Sequence, residues 1–374
     1  MYDLLIRAQR IVCPATGLET SGAVAVVGDR IVAVGSDVDG PAEQTLDFPD
    51  GTLLPGLVDL HAHPARGGSK YGVDPDLEFL PRGVTTVLSQ GDAGAKNLSQ
   101  YIETTIEACR TRVKLAINLS LEGETMDGGC FENLDWVDVA ACVNAIQSAP
   151  EHIWGIAVNV SVNCCNKTDP KEVMRRGLLA AEETGKPLLY GILNPKEWSW
   201  DEQMKLLRPG DVMTYLYRPG DWSIVNEKGK VHSALIEARN RGVLFDIGHG
   251  MGSFDFPVAE AALADGFGPD TISTDQYLRH TGSNPQHDLP RTMSKLLAAG
   301  MNEADLFQAV TTRPAEILGL EDEIGSLASG SCADLTVLGF NEKALPLQDN
   351  DGIARFGGCW EAICTVRNGN CVSQ

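Results

Sequence analysis

The sequence predicts an α/β chain, a (β/α)8 TIM barrel that carries a small composite β-sandwich made from both chain ends. Three observations predict it. Eight short apolar runs alternate with helix-length stretches between about residues 54 and 322, the signature of βα units in a parallel sheet or barrel. Residues 1–53 and 323–374 instead carry short alternating runs broken by glycine and proline, which favours small β-structure at each end. The first apolar run of the middle region ends in His61-Ala62-His63, chemistry placed where a barrel keeps its functional groups.

Taken in order, strands are expected at 3–6, 10–13, 22–27 and 30–35, separated by Pro14, Gly17, Gly28-Asp29 and Gly40-Pro41. The eight barrel strands are expected at 57–63, 85–90, 114–120, 155–161, 187–192, 211–217, 243–248 and 271–275. Helices are expected at 98–110, 136–148, 170–184, 233–241 and 256–263, with Pro170 and Pro257 in first turns. Two closing helices follow at 289–299 and 303–312. The tail returns to strand character at 333–338 and 362–367, and Asn368-Gly369 is a strong hairpin turn. The ends are therefore expected to form one domain (1–53 plus 323–374) beside the barrel (54–322).

Size and composition bound the function. The 374 residues suffice for a large barrel with an ample core, and 43% hydrophobic with 22% charged residues is ordinary for a soluble protein. A formal charge of −21 argues against nucleic acid and against anionic membrane surfaces, both of which select basic patches. There is no run of membrane-spanning length and no signal-peptide pattern at the N-terminus, so a cytoplasmic enzyme of a small-molecule substrate is expected. The ten cysteines include no C-x-x-C pair and are expected to be reduced.

On a strand, residues two apart share a face, so His61 and His63 can share one metal ion, and imidazole suits zinc and its neighbours. At the C-terminal ends of the other strands stand Asp92, Cys164, Gly191, Tyr215, Tyr217, His249 and Asp275. Asp275 could ligate a metal and take a proton from its water. Each also has a structural reading: Asp275 as a helix cap, His249 as a bonded loop histidine, the tyrosines as core. Arg66 and Arg279 are candidates for gripping a substrate carboxylate, and Tyr190, Cys164 and His280 for lining the pocket.

Several motifs together resemble the amidohydrolase superfamily, in its dihydroorotase-like and acyl-ester deacetylase branch. They are 55–63 (PGLVDLHAH), 82–87 (RGVTTV), 245–250 (FDIGHG), 273–275 (STD), 293–297 (MSKLL), 314–320 (PAEILGL) and 333–337 (ADLTV). The resemblance implies a metal-bearing barrel hydrolysing an amide, cyclic amide or ester, and a homo-oligomer. It also implies six ligand positions, of which three are altered. Ala157 stands where a bridging carboxylated lysine is expected, and Gly191 and Tyr215 stand where histidines are expected. Three arrangements remain open. One is a single zinc or manganese ion on His61, His63 and Asp275, helped by Asp92 or His249. The second is a metal-free enzyme using Tyr215, His249 and Asp275 for acid–base chemistry or carbonyl polarisation; separately, the resemblance leaves lyase or decarboxylase chemistry open as an alternative to hydrolysis, since mononuclear members of the superfamily perform it. The third is a non-catalytic binding relative. In the first, Asp275 takes the proton from water, and Tyr215 or His249 steadies the oxyanion.

Overall fold

The structure, a computed structural model, describes residues 1–372. Four strands open the chain: β1 (Tyr2–Cys13), β2 (Leu18–Val27), β3 (Arg30–Gly35) and β4 (Ala42–Pro55). Seven parallel strands follow in sheet order, β5 (Leu57–Ala62), β6 (Val84–Gln90), β7 (Arg112–Asn118), β8 (Ile153–Asn159), β9 (Leu188–Gly191), β10 (Val212–Thr214) and β11 (Leu244–Phe245). The tail supplies β12 (Leu335–Asn341), the short β13 (Leu347–Gln348) and β14 (Ala354–Arg355), then β15 (Cys359–Arg367) and β16 (Asn370–Cys371).

The two chain ends share one continuous layer in the order β16-β15-β12-β4-β1-β2-β3. Its apolar face buries Leu4, Ile6, Ile11, Val24 and Val26 against Leu335, Val337 and Val366. The β15–β16 hairpin turns on Asn368-Gly369, both at positive φ (49° and 75°), the conformation that this dipeptide adopts at least cost.

The barrel closes through an eighth segment, which is paired on both sides without forming a regular strand. On one side Ile247, His249 and Gly250 N–H donate to the carbonyls of Thr271, Ser273 and Thr274 (3.2, 3.3 and 3.0 Å). On the other, Asp275 N–H donates to His61 O at 2.7 Å and His63 N–H to Gln276 O at 2.9 Å. The segment expected as a strand at 271–275 is broken because Asp275 sits at φ +49°, outside the β region. The same cause shortens the runs expected at 211–217 and 243–248, where Tyr215 lies at φ +69° and Gly248 at φ +52°.

Helix limits follow caps. Asp169 accepts from Lys171 N–H and starts the helix Pro170–Thr184, which Gly185 ends in a left-handed conformation. The stretch expected to be helical from 136 starts later, at Val139–Ser148, because Asp138 caps it through Ala141 N–H. Residues 98–110 give only Leu98–Tyr101 and a π-turn, Ile102–Ile106, and 303–312 divides into Glu303–Gln308 and Thr312–Leu318. The last of these helps close the bottom of the barrel, where Ala315 and Leu318 pack on Val58, Leu60, Leu88 and Leu189. Among the described residues no helix is long and apolar enough to cross a membrane, and all ten cysteines are free thiols.

A buried ion cluster joins the terminal sheet to the barrel. Asp334 accepts from Arg367 Nη1 (2.9 Å), from Arg112 Nη1 at the start of β7 (3.2 Å) and from Asn368 N–H (2.9 Å). Its side chain and that of Arg367 are 2% and 9% exposed, so removing the carboxylate strands buried positive charge, at a typical cost of about 3–5 kcal/mol. Asp334→Ala is expected to lower the unfolding free energy by about 3 kcal/mol; an unchanged urea midpoint would show that this seam contributes nothing.

Candidate functional site

His61 and His63 leave the end of β5 with their Nε2 atoms directed at one carboxylate oxygen. Asp275 Oδ1 lies 3.6 Å from His61 Nε2 and 3.5 Å from His63 Nε2. Each ring is held from behind. Thr214 Oγ1 donates to Asp246 Oδ2 at 2.8 Å, so its lone pair accepts from His61 Nδ1–H at 2.7 Å. Asp246 is itself fixed by Thr271 Oγ1 and Ser273 Oγ (2.7 and 2.6 Å). His63 Nδ1–H donates to Asp92 Oδ1 at 3.0 Å, and that carboxylate also accepts from Ser69 and Ser89 hydroxyls, each at 2.6 Å.

This arrangement assigns the His61 proton to Nδ1 and leaves Nε2 a bare lone pair. That atom is buried and has no hydrogen-bond partner, while it faces a carboxylate oxygen. Two acceptors in a dry site repel unless a cation lies between them, and rings backed by a hydroxyl–carboxylate or a carboxylate are typical of metal-binding histidines. The donor set therefore fits one divalent ion held by His61, His63 and Asp275. Without an ion, burial opposes charge on His63, but Asp92 and Asp275 outweigh it and push its pKa up to about 10.

Above this centre lies a cavity of about 640 Å³. Its wall includes His63, Asp275, Tyr71, Glu124, Asn159, Cys164, Tyr215, Arg218, Trp222, Tyr277 and Arg279. The Tyr215 ring stands edge-on to His61, with centroids 5.1 Å apart, and its burial keeps the phenol pKa well above the ordinary value. A bulky residue at φ +69° is strained backbone of the kind that clusters at functional sites. Asn159 Nδ2 donates to the Tyr215 oxygen at 3.3 Å, leaving the phenolic proton free to point elsewhere. Arg218 lies over the Trp222 ring at 3.9 Å, and its guanidinium has no hydrogen bond or ion pair among the described residues.

Residues 249–371 match the model of the amidohydrolase family. A deacetylase of Enterococcus faecalis is 32% identical over 358 residues, 95% of this chain and 94% of that protein. The chain belongs to the amidohydrolase family. A deacetylase of Agrobacterium fabrum is 33% identical over 338 residues, 89% of this chain and 82% of that one. Among solved structures, a dihydroorotase aligns at 30% identity with a TM-score of 0.88, over 99% of this chain and 98% of that one. An adenine deaminase aligns at 28% identity with a TM-score of 0.90 over the whole of both chains. This amidohydrolase is a hydrolytic enzyme acting on amide or ester bonds, and members of its family usually employ a divalent metal.

The three altered positions do not present the lysine and two histidines that the resemblance implies for a second ion. Ala157 is buried among Leu60, Leu88 and Leu189 in the apolar floor of the barrel. A Cβ on Gly191 would lie 2.6 Å from Asn159 Cγ, so Asn159 fills the space of a β9 side chain and ties itself to Tyr215. The dinuclear arrangement that the resemblance implies does not fit this amidohydrolase.

Several expected site residues lie elsewhere. Asp92 does not face the cavity: its carboxylate is taken up by His63 Nδ1–H and the Ser69 and Ser89 hydroxyls. His249 is turned away from the cavity, with Nδ1–H donated to Gly250 O, Nε2 accepting from Lys295 Nζ at 2.8 Å, and its ring stacked on Phe254. That occupies both nitrogens. His280 is buried between Tyr277 and His287 (ring centroids 4.4 and 4.0 Å away), and burial lowers its pKa to about 4. Arg66 clamps Asp74, Asp76 and Ala108 O, and Tyr190 is core, its hydroxyl donating to Gln203. Cys164 and Arg279 do line the cavity, Arg279 at its exposed rim. Reading the sequence passed over Thr214, Asn159, Glu124 and Arg218. Of these, Thr214 and Arg218 stood beside a recognised position, one residue before and three after Tyr215.

Burial, with help from Arg291, lowers the Lys295 pKa to about 7, against about 10.4 in an unfolded chain. Between those values the unfolded state binds the proton and the folded state does not, so this group makes stability rise with pH from 7 to 10. Lys295→Met is expected to flatten that rise by up to about 1.4 kcal/mol per pH unit. Urea unfolding of both proteins across this range measures it, and identical slopes would place an ordinary ammonium at this position.

Proposed function

We propose that this chain is a small-molecule deacylase. It removes an acetyl or comparably small acyl group from an amide or ester whose other part carries a carboxylate. One divalent ion, zinc in our reading, is held by His61, His63 and Asp275. The observation that supports this most directly is the convergence of both Nε2 atoms on Asp275 Oδ1, with the buried His61 Nε2 left without any other partner. The deacetylases similar to this chain over nearly its full length make acyl transfer to water the first chemistry to test.

A divalent ion at this position supplies a polarised carbonyl and a water of lowered pKa. The protein's own groups do the rest. Asp92 and the Thr214–Asp246 pair keep each imidazole in the tautomer that presents Nε2 to the cavity. Asp275, at the cavity floor, takes a proton from the attacking water and returns it to the leaving nitrogen or oxygen. Tyr215, neutral because burial raises its pKa, donates its free proton to the carbonyl oxygen as negative charge develops there. Arg218 sits on the same wall with an unpaired guanidinium, and a substrate carboxylate would satisfy it bidentately. Manganese in place of zinc would leave these roles unchanged.

Three outcomes test this reading. Elemental mass spectrometry of His61→Asn is expected to show one ion per chain fewer than the parent, and equal content would remove the metal from this centre. In a screen of N-acetylated and O-acetylated carboxylic acids, Tyr215→Phe is expected to lower kcat about 100-fold with KM little changed, as for loss of one oxyanion donor. Unchanged turnover would sink the role. Arg218→Met is expected to raise KM for the acidic substrates at least tenfold, in keeping with loss of a charge-assisted pair of about 1.5–3 kcal/mol, while neutral esters are hydrolysed as before.

A further inference from the structure

Among the described residues, two groups of ligand-type side chains outside the His61–His63–Asp275 centre bring their ligand atoms within 4.8 Å of one another. In the first, Asp74, Asp76 and Cys109, the carboxylates are already taken up by Arg66 and by the N–H groups of Arg110 and Thr111. The second is Glu124, Cys130 and Cys164, a carboxylate and two thiols. Glu124 and Cys130 are almost wholly buried, and Glu124 and Cys164 face the cavity.

Backbone contacts hold this group together. Gly129 lies so close to the turn after β8 that a Cβ there would sit 2.3 Å from Cys164 O, and Phe131 N–H donates to that same carbonyl at 2.9 Å. The residues on either side of Cys130 are thus locked onto Cys164. Glu124 is fixed independently, its N–H donating to Asp92 O (3.3 Å) and its carbonyl accepting from Lys70 N–H (2.8 Å). The ligands come from two loops that packing has already brought together.

We propose that Glu124, Cys130 and Cys164 bind a second transition-metal ion, zinc or one of similar softness, on the wall of the cavity. Thiolate and carboxylate are both zinc ligands, and three protein donors leave the fourth tetrahedral position to solvent or substrate. Binding releases the two thiol protons to solvent. The resulting complex carries one net negative charge, and the Lys70 ammonium, 3.5 Å from Glu124 Oε2, balances it. The site is distinct from the one on His61, His63 and Asp275 and does not depend on it.

Cobalt separates the two. The full-length chain, purified reduced and stripped of metal, is titrated with Co²⁺ while thiolate-to-cobalt charge-transfer absorption is followed in the near ultraviolet. Elemental analysis of the zinc-loaded protein runs in parallel. The band is expected to saturate by two ions per chain in the parent and at one in His61→Asn, and to vanish in the Cys130→Ser/Cys164→Ser double variant. Zinc content is expected to be two per chain in the parent and one in each variant. Glu124→Gln, which keeps both thiols and the shape of the carboxylate, is expected to weaken Co²⁺ binding at least about tenfold, the loss seen even for groups behind metal ligands. The proposal is overturned by a parent protein without the band, by a band that survives the double variant or is lost in His61→Asn, or by parental affinity in Glu124→Gln. Failure of the histidine centre reads differently: His61→Asn then keeps the parent's zinc content while the thiolate band is unaffected.

Discussion

Closure of the barrel between its first and eighth strands is the contact on which the candidate site depends. Asp59, buried two residues before His61, accepts from Thr274 N–H (3.1 Å) and from the Thr274 hydroxyl (2.5 Å). Burial raises its pKa to about 7, and those donors, with His61 N–H, work against that rise. One residue along, Asp275 N–H reaches His61 O. The seam fixes the eighth segment against β5, and with Asp275 in a left-handed conformation its carboxylate oxygen lies 3.6 and 3.5 Å from the two imidazole Nε2 atoms. A shift of one residue would send every side chain of that segment to the opposite face.

Behind the site, the protein keeps its polar groups in chains that end on carboxylates. Thr271, Ser273 and Thr214 all serve Asp246, and Ser69, Ser89 and His63 all serve Asp92. Fully satisfied networks of this kind are rigid, because loosening any member strands a buried acceptor. The rigidity has a chemical consequence, since it decides which nitrogen of each histidine carries its proton. It also separates Asp92, which orients His63, from Asp275, which faces the cavity.

The altered positions form a second organised feature. With Ala157 in the apolar floor and no side chain at Gly191, room opens for Asn159, and Asn159 in turn steadies Tyr215 at its strained backbone angle. The losses are coupled: restoring a single histidine at 191 would collide with Asn159. The cavity above is lined by groups that the barrel strands do not supply, including Glu124, Cys164, Arg218 and Trp222 from the loops. Loops set on a rigid barrel are where such a fold varies its chemistry.

The sequence by itself determined the periodicity of the barrel, the pairing of the two chain ends, the Asn368-Gly369 turn, and the set of His61, His63 and Asp275. All of these rest on local patterns: alternation of two, apolar runs between helix caps, and a His-x-His at a strand end. Only the tertiary structure decided the direction of individual side chains. His249, His280, Arg66 and Tyr190 carry the right chemistry at plausible positions, but His249, Arg66 and Tyr190 are taken up by other partners (Lys295; Asp74, Asp76 and Ala108; Gln203), and His280 is packed between Tyr277 and His287. Glu124, Cys130 and Cys164 escaped as a group for the same reason, because nothing in a linear pattern states that Gly129 packs on the Cys164 carbonyl. A residue type specifies what a group can do; packing and hydrogen-bond satisfaction across the chain specify what it is left free to do.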